Sequence, residues 1–469
     1  MKLAAISPYS GEEIASFEEA TDDDVRRAVD RAQEAFVAWR ARPVAERAAL
    51  LGALAGTLRA NKDHLARLAT LEMGKPITEA EGEVEKSAWF CDYFAENAER
   101  FLAPETIDGS SDENYVRYEP LGTILAVMPW NFPYVQVFRF APPALVTGNV
   151  AILKHASNVP QCAVAIERMF VEAGFPEGVF QTLLTGPEVV ADLLTDQRIA
   201  GVALTGSDRA GSSVAAIAGR ELKTSVMELG GSDPFVVLDD ADIELAAKEG
   251  CRGRNINAGQ ACIAAKRFIV LDEVADRFEA ALAREVESLT LGDPLDRSTQ
   301  VGPLARPDLV EALASQVEDS VAAGARVVAG GTPWEGPGFF AVPTVLTDVT
   351  PEMRVFREET FGPVAAVVRA ADEAEAIALA NDTQFGLGAS VWTRDTDRGR
   401  RVAEQIEAGM VFVNAIVVSD PRLPFGGVKR SGYGRELGEL GIREFVYVKS
   451  IAVHEPATTA AQPAALATE

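Results

Sequence analysis

The chain has 469 residues, 48% hydrophobic and 24% charged, which is enough apolar content for large cores and a length that suggests two or three domains. Its 70 acidic residues against 44 basic ones give a formal charge of −26, which repels phosphate backbones and anionic lipid and argues against nucleic-acid or membrane-surface binding as the main role. No apolar run approaches the ~18 residues that span a bilayer, and the start, Met1-Lys2-Leu3-Ala4-Ala5-Ile6-Ser7-Pro8, is too short in apolar residues for a secretory signal, so a cytoplasmic protein is expected.

Residues 1–20 read as two extended pieces around a Ser10-Gly11 turn. Thr21 is the N-cap candidate of a helix whose first turn carries Asp22, Asp23 and Asp24, a placement that suits the helix dipole. Val25, Val29, Ala32 and Phe36, then Leu50, Leu54 and Leu58, recur at helical spacing, and packed amphipathic helices are expected as far as Phe101. From Leu121 the texture changes. Short apolar runs at 124–128, 150–154, 180–184 and 202–205 are separated by helix-length segments, the pattern of a parallel sheet covered on both faces. Ligands of such sheets sit at the carboxyl ends of the strands, where Asn131, Lys154, Ser157, Gly206 and Ser207 fall.

After Glu228 a second α/β series begins, with a change of domain near Gly230-Gly231. It reads as a strand at 235–238, a helix at 243–254, a strand at 268–271 and a helix at 273–289. Strands at 327–329 and 364–368, a helix at 372–380, and strands at 389–392 and 411–414 follow. A last strand-like segment, Phe445-Val446-Tyr447-Val448, precedes a polar, Ala-rich tail from Pro456 that is expected to fray.

Two stretches carry chemistry. Asn257-Ala258-Gly259-Gln260-Ala261-Cys262 sets a thiol in a turn of small residues, where it is either a nucleophile or a buried small hydrophobe. Upstream, Glu228 stands among apolar residues beside paired glycines, and a carboxylate so held has a raised pKa suited to general-base work. The four cysteines show no CxxC spacing and the three histidines are scattered, so neither a metal site nor a disulfide scaffold is expected. The base for a Cys262 nucleophile is then a carboxylate rather than an imidazole.

The chain resembles the NAD(P)-dependent aldehyde dehydrogenases. The resemblance rests on Pro129-Trp130-Asn131-Phe132-Pro133, Leu153-Lys154, Leu204-Thr205-Gly206-Ser207, Glu228-Leu229-Gly230-Gly231, Gly259-Gln260-Ala261-Cys262, Glu359-Thr360-Phe361-Gly362-Pro363 and Pro424-Phe425-Gly426-Gly427, in the family's order. It implies Cys262 as nucleophile, Glu228 as general base, and an oxyanion hole from the Asn131 amide and the Cys262 N–H. No GxGxxG follows a strand, so the cofactor is assigned by resemblance alone. Gly206 and Ser207 would face the pyrophosphate, Lys154 the adenosine ribose, and Glu359 the nicotinamide ribose, with Trp130, Leu229 and Phe361 lining the cleft. Ser157 stands where NAD-preferring relatives tend to carry Glu, which favours NADP or dual use with NAD, unless Ser157 merely caps the following helix.

Within the family the wording is most similar to bacterial NADP-type succinate-semialdehyde dehydrogenases. Such an enzyme needs a cation for the distal carboxylate. Arg139, about two helical turns beyond Asn131, points back toward the aldehyde site, with Ser419 as a further contact and Arg422 nearby. Against this, some semialdehyde enzymes carry an arginine where this chain has Ile256, and Arg139 in a dehydrogenase for an apolar or aromatic aldehyde would be structural. A catalytically silent family member is the rival from another class.

The resemblance implies an α/β fold with two parallel-sheet domains and a small β oligomerisation element. Residues 1–102 and 121–229 would bind NAD(P), residues 230–425 would carry the thiol, residues 103–120 and 426–455 would form the oligomerisation element of a homodimer or homotetramer, and residues 456–469 the tail.

Overall fold

The computed structural model describes residues 2–109 and 111–456, so the tail expected at 456–469 lies outside the described residues apart from Pro456. The chain opens on an antiparallel pair, Lys2–Ile6 with Glu13–Glu18. Thr21 then caps helix Asp22–Arg40: its hydroxyl accepts the Asp24 N–H and the Asp24 carboxylate accepts the Thr21 N–H, satisfying two donors that the helix leaves unpaired. Val29, Ala32 and Phe36 are buried along one face of that helix. Helices Val44–Ala60, Lys62–Met73 and Ile77–Phe101 complete the helical region, with Leu54 and Leu58 in the core and Leu50 half-buried.

The first large sheet has six strands, in the order Gly432–Tyr433, Thr224–Glu228, Ile199–Thr205, Thr123–Met128, Val150–His155 and Phe180–Thr182. All are parallel except Gly432–Tyr433, which adds an antiparallel edge against Glu228 and Met227. Every residue of Val150–His155 is buried, as helices on both faces require. The run predicted at 180–184 is a strand only over Phe180–Thr182; Leu183 keeps one bond to the Leu153 carbonyl and the chain then leaves the sheet.

Gly230 and Gly231 form the crossing to the second sheet, which opens at Asp233. Its order is Arg326–Ala329, Thr344–Thr347, Val364–Ala370, Ala265–Leu271, Asp233–Val237, Gly388–Trp392 and Met410–Val413, with only Arg326–Ala329 antiparallel. Phe235 anchors its core, with ring centroids 5.0 Å from Phe268 and 5.2 Å from Trp392. Helix Pro307–Ala322 and strand Thr344–Thr347 fall where the sequence reading assigns no element. Apart from both sheets, Glu113–Pro120 pairs antiparallel with Val446–Val453 on one side and with Glu105–Thr106 on the other.

The carboxyl ends of the first sheet meet the amino ends of the second. Asn131, just past Thr123–Met128, donates to the carbonyl of Gln260, just before Ala265–Leu271, at 3.0 Å. Among the described residues no helix is long and apolar enough to cross a membrane.

Candidate active site

Cys262 sits on a tightly braced loop. Helix Ile243–Asn255 runs into a single 3-10 turn, Ile256–Gly259, in which Asn257 and Ala258 hold left-handed φ of 55° and 52°. Such strain persists only where surrounding contacts over-determine it. The Asn257 amide donates to the Asn131 carbonyl at 2.7 Å, the Gln260 amide to the Asn257 carbonyl at 3.1 Å, and the Ala305 N–H to the Gln260 side-chain oxygen at 2.9 Å. Gly259, at φ 75°, must be glycine, because a Cβ there would lie 2.4 Å from the Gly362 carbonyl carbon. Behind the loop, the buried ammonium of Lys266 donates to the carbonyls of Ala261 and Cys262 at 3.0 and 2.7 Å and stands 3.6 Å from Glu359. Buried Arg254 donates to the Gly259 carbonyl at 2.7 Å, so this arginine belongs to the scaffold.

The loop faces a cavity of about 350 Å³ lined by Cys262, Phe132, Arg139, Ile256, Ser419 and Phe425 among others, so the structure brings the thiol, Arg139 and Ser419 together. Burial pushes the Cys262 thiol up to about 12, against the opposing charges of Arg139 and Lys266. At neutral pH the sulfur therefore keeps its proton until positive charge or a base acts on it. Asn131 is buried beside the loop; one of its N–H groups is used on Gln260, the other is free to donate, and its side-chain oxygen has no partner. Arg422 does not line this cavity and pairs with Asp420 on the surface loop.

Arg139 is not a bare cation. Its guanidinium is buried, pairs with Glu436 and lies 4.0 Å from the centre of the Phe425 ring, while its Nη2 has no hydrogen-bond partner. Glu228, the last residue of its strand, is buried, and among the described residues both its carboxylate oxygens are without a hydrogen-bond partner. Its carboxyl lies against Gly426, where a Cβ would be 2.7 Å from Oε1. Burial and neighbouring Glu436 push this carboxyl well above the usual range, while Arg139 and Arg435 pull the other way. The sequence reading of an acid in apolar surroundings thus matches the environment. Gly231 allows the next approach: a Cβ there would stand 2.7 Å from the Cys262 carbonyl, and its N–H donates to Glu359 at 3.0 Å.

On the first-sheet side, Lys154 is the penultimate residue of its strand, buried and, among the described residues, without a direct hydrogen bond; burial lowers its pKa, and Glu188 and Glu19 act on it through space. Ser157 is exposed and does not cap the next helix, which corrects that alternative. The N-cap position is Val159, and the Glu72 carboxylate takes the orphaned N–H groups of Gln161 and Cys162 at 2.8 and 2.9 Å. Ser207 caps helix Asp208–Arg220, accepting the Ala210 N–H at 3.3 Å, whereas the Gly206 N–H is taken by the Glu228 carbonyl. Trp130 and Phe361 meet edge to face at 5.8 Å, and Leu229 packs on Gly211 of that helix.

Glu436, Lys266, Asn257 and Gln260 shape the site but carry no role in the sequence reading. Asn257 and Gln260 sit inside the cysteine stretch, and a lysine opening an apolar strand was a usable signal for Lys266. Nothing in the sequence links Glu436 to Arg139, 297 residues away.

The aldehyde dehydrogenase family model matches residues 1–451. A Synechocystis protein named probable succinate-semialdehyde dehydrogenase [NADP(+)] is 49% identical over 96% of this chain and 99% of its own, and a Mycobacterium tuberculosis protein named succinate-semialdehyde dehydrogenase [NADP(+)] 1 is 50% identical over the same shares. Among solved structures, succinic semialdehyde dehydrogenase from Streptococcus pyogenes in complex with NADP+ superposes with a TM-score of 0.94 at 39% identity, covering 97% of this chain and 100% of that one. Gox0499 superposes with a TM-score of 0.95 at 44% identity and the same coverage. With the cysteine loop, the buried acid and the matched length all in agreement, the chain belongs to the aldehyde dehydrogenase family.

Proposed function

We propose that this protein oxidises succinate semialdehyde to succinate with NADP, NAD being a second acceptor. The observation that carries the substrate is a buried guanidinium with an unpartnered Nη2 in the same cavity as the thiol. The Cys262 thiolate, its proton given up to solvent, attacks the aldehyde carbon, and the resulting oxyanion is held by the free N–H of the Asn131 amide and by the Cys262 N–H, each such donor contributing about 3–4 kcal/mol in comparable sites. Bound NADP supplies the hydride acceptor. Glu228, unpaired and enclosed, takes a proton from the water that hydrolyses the remaining thioester. Arg139 and Ser419 hold the distal carboxylate.

The residues present fit the cofactor: Lys154 is a cation with no direct partner among the described residues, near the carboxyl end of a parallel strand, and Ser157 is an exposed neutral donor three residues on. Lys154 and Ser157 would hold the adenosine ribose and its 2′-phosphate, the start of helix Asp208–Arg220 with Ser207 the pyrophosphate, and Glu359 the nicotinamide ribose, between Trp130, Leu229 and Phe361. The domain division at 102, 121, 230 and 426 follows the same reading. A homodimer or homotetramer is proposed because strand Val446–Val453 exposes Tyr447, Val448 and Val453 on an edge that no described strand covers.

A second reading, a neutral aldehyde, is favoured by Glu436, which already neutralises Arg139. Comparing catalytic efficiency for succinate semialdehyde and butanal, each with NADP and NAD, separates the two. A large advantage for the semialdehyde that collapses in Arg139→Ala supports the proposal, with butanal reporting any general damage from an unpaired Glu436. Equal use of both aldehydes refutes the semialdehyde assignment.

A further inference from the structure

We propose that Lys86 is a second anchor for the distal carboxylate, a specificity residue that turns the cavity toward short aldehydes bearing an ω-carboxylate; this rests on the semialdehyde reading. Helix Ile77–Phe101 presents Glu79, Glu83 and Lys86 to the cavity at spacings of four and three, one face of a helix. The two acids are already committed. Glu83 pairs with Lys75 and accepts the N–H groups of Tyr134 and Val135 at 2.8 and 3.0 Å, and Glu79 accepts the Asn257 N–H at 2.8 Å.

The other cations around the cavity are also engaged. Arg139 pairs with Glu436, and Arg252 with Glu249 at 2.5 Å. Lys86 is half-buried and, among the described residues, makes no direct hydrogen bond or ion pair; Asp420 and Glu83 act on it only through space. Burial and the nearby charge of Arg139 both disfavour its ammonium. Two like charges thus line one cavity, and among the described residues the one carboxylate bonded to either of them is Glu436, on Arg139. A substrate carboxylate placed between Lys86 and the unpartnered Nη2 of Arg139 relieves the repulsion and completes both sets of donors. Its aldehyde end then extends through the apolar part of the cavity toward Cys262.

The test is Lys86→Met, which keeps the length of the side chain and removes its charge, with Lys86→Arg as the conservative control. KM for succinate semialdehyde and the inhibition constant of succinate, measured against butanal oxidation, are expected to rise about tenfold or more, the effect of one charged hydrogen bond. Selectivity for the semialdehyde over butanal falls in parallel, and Lys86→Arg recovers most of it. If succinate inhibits Lys86→Met as strongly as wild type, or if KM rises equally for both aldehydes, the anchor is refuted. Should the wild type show no preference for the semialdehyde while succinate inhibition still depends on Lys86, the substrate reading fails and the carboxylate site stands.

Discussion

Replacing Lys266 by Met separates what holds the cysteine loop from what tunes its thiol. The Lys266 ammonium is fully buried, with three carbonyl contacts of 2.7, 3.0 and 3.4 Å on the loop and a carboxylate, Glu359, at 3.6 Å. Methionine fills nearly the same volume, so the main loss is electrostatic. Hydrogen bonds from a charged donor contribute about 1.5–3 kcal/mol each, and removing one member of a buried ionic network costs about 3–5 kcal/mol because the partners left behind are unsatisfied. A fall of about 6 °C or more in the thermal midpoint is expected for a domain of this size. The thiol should respond as well, because Lys266 is one of two cations that pull its pKa down. Losing a nearby unit charge shifts a pKa by about one unit, and iodoacetamide labelling of Cys262 at pH 8 should slow about tenfold. A lowered midpoint with an unmoved pH profile of labelling would refute the electrostatic half of this reasoning, and an unchanged midpoint would refute the bracing half.

Glu228→Gln should retain a pre-steady-state burst of reduced cofactor while steady-state turnover drops by about 100-fold or more, the usual contribution of a general base; stopped-flow absorbance reads both. The same variant tests the buried acid by pH. A carboxyl whose folded pKa is raised favours the folded state below its unfolded value near 4.3 and loses that contribution as pH rises toward the folded value. The midpoint of Glu228→Gln should therefore gain on wild type between pH 5 and pH 8, and a gap that stays constant with pH would count against a raised Glu228. Ser157→Glu places a negative charge beside Lys154 at an exposed position, so efficiency with NADP relative to NAD should fall by about tenfold or more with the thermal midpoint unmoved. An unaltered ratio would remove Ser157 from the cofactor site.

Much of the fold was legible because periodicity reports burial directly. The strands around residues 124, 150, 235 and 364 lie where continuous apolar runs place them. Helix Pro307–Ala322 was less legible because only Leu313, Gln316 and Ser320 are buried in it, which leaves a weak apolar stripe. The rule that ligands gather at the carboxyl ends of parallel strands points to the candidate residues of the first sheet but misses those of the second, where Cys262 and Glu359 precede their strands and Asp233 opens its own.

For the site, a few neighbouring residues were enough to mark Cys262 and Glu228 as candidates and Asn131 as a residue at a strand end, while their roles came from the family resemblance of whole motifs. The charge state and partner of each side chain were not legible there. Arg139 looked from its helix like a free carboxylate anchor, and the fold instead brings Glu436 to its guanidinium and, among the described residues, leaves Lys86 on the same cavity unpaired. Local periodicity fixes helices and strands because each is stabilised by contacts within a few residues. Desolvation and ion pairing depend on which distant segments pack together, so the tertiary structure alone decided which charges in this cavity are satisfied and which remain for a substrate.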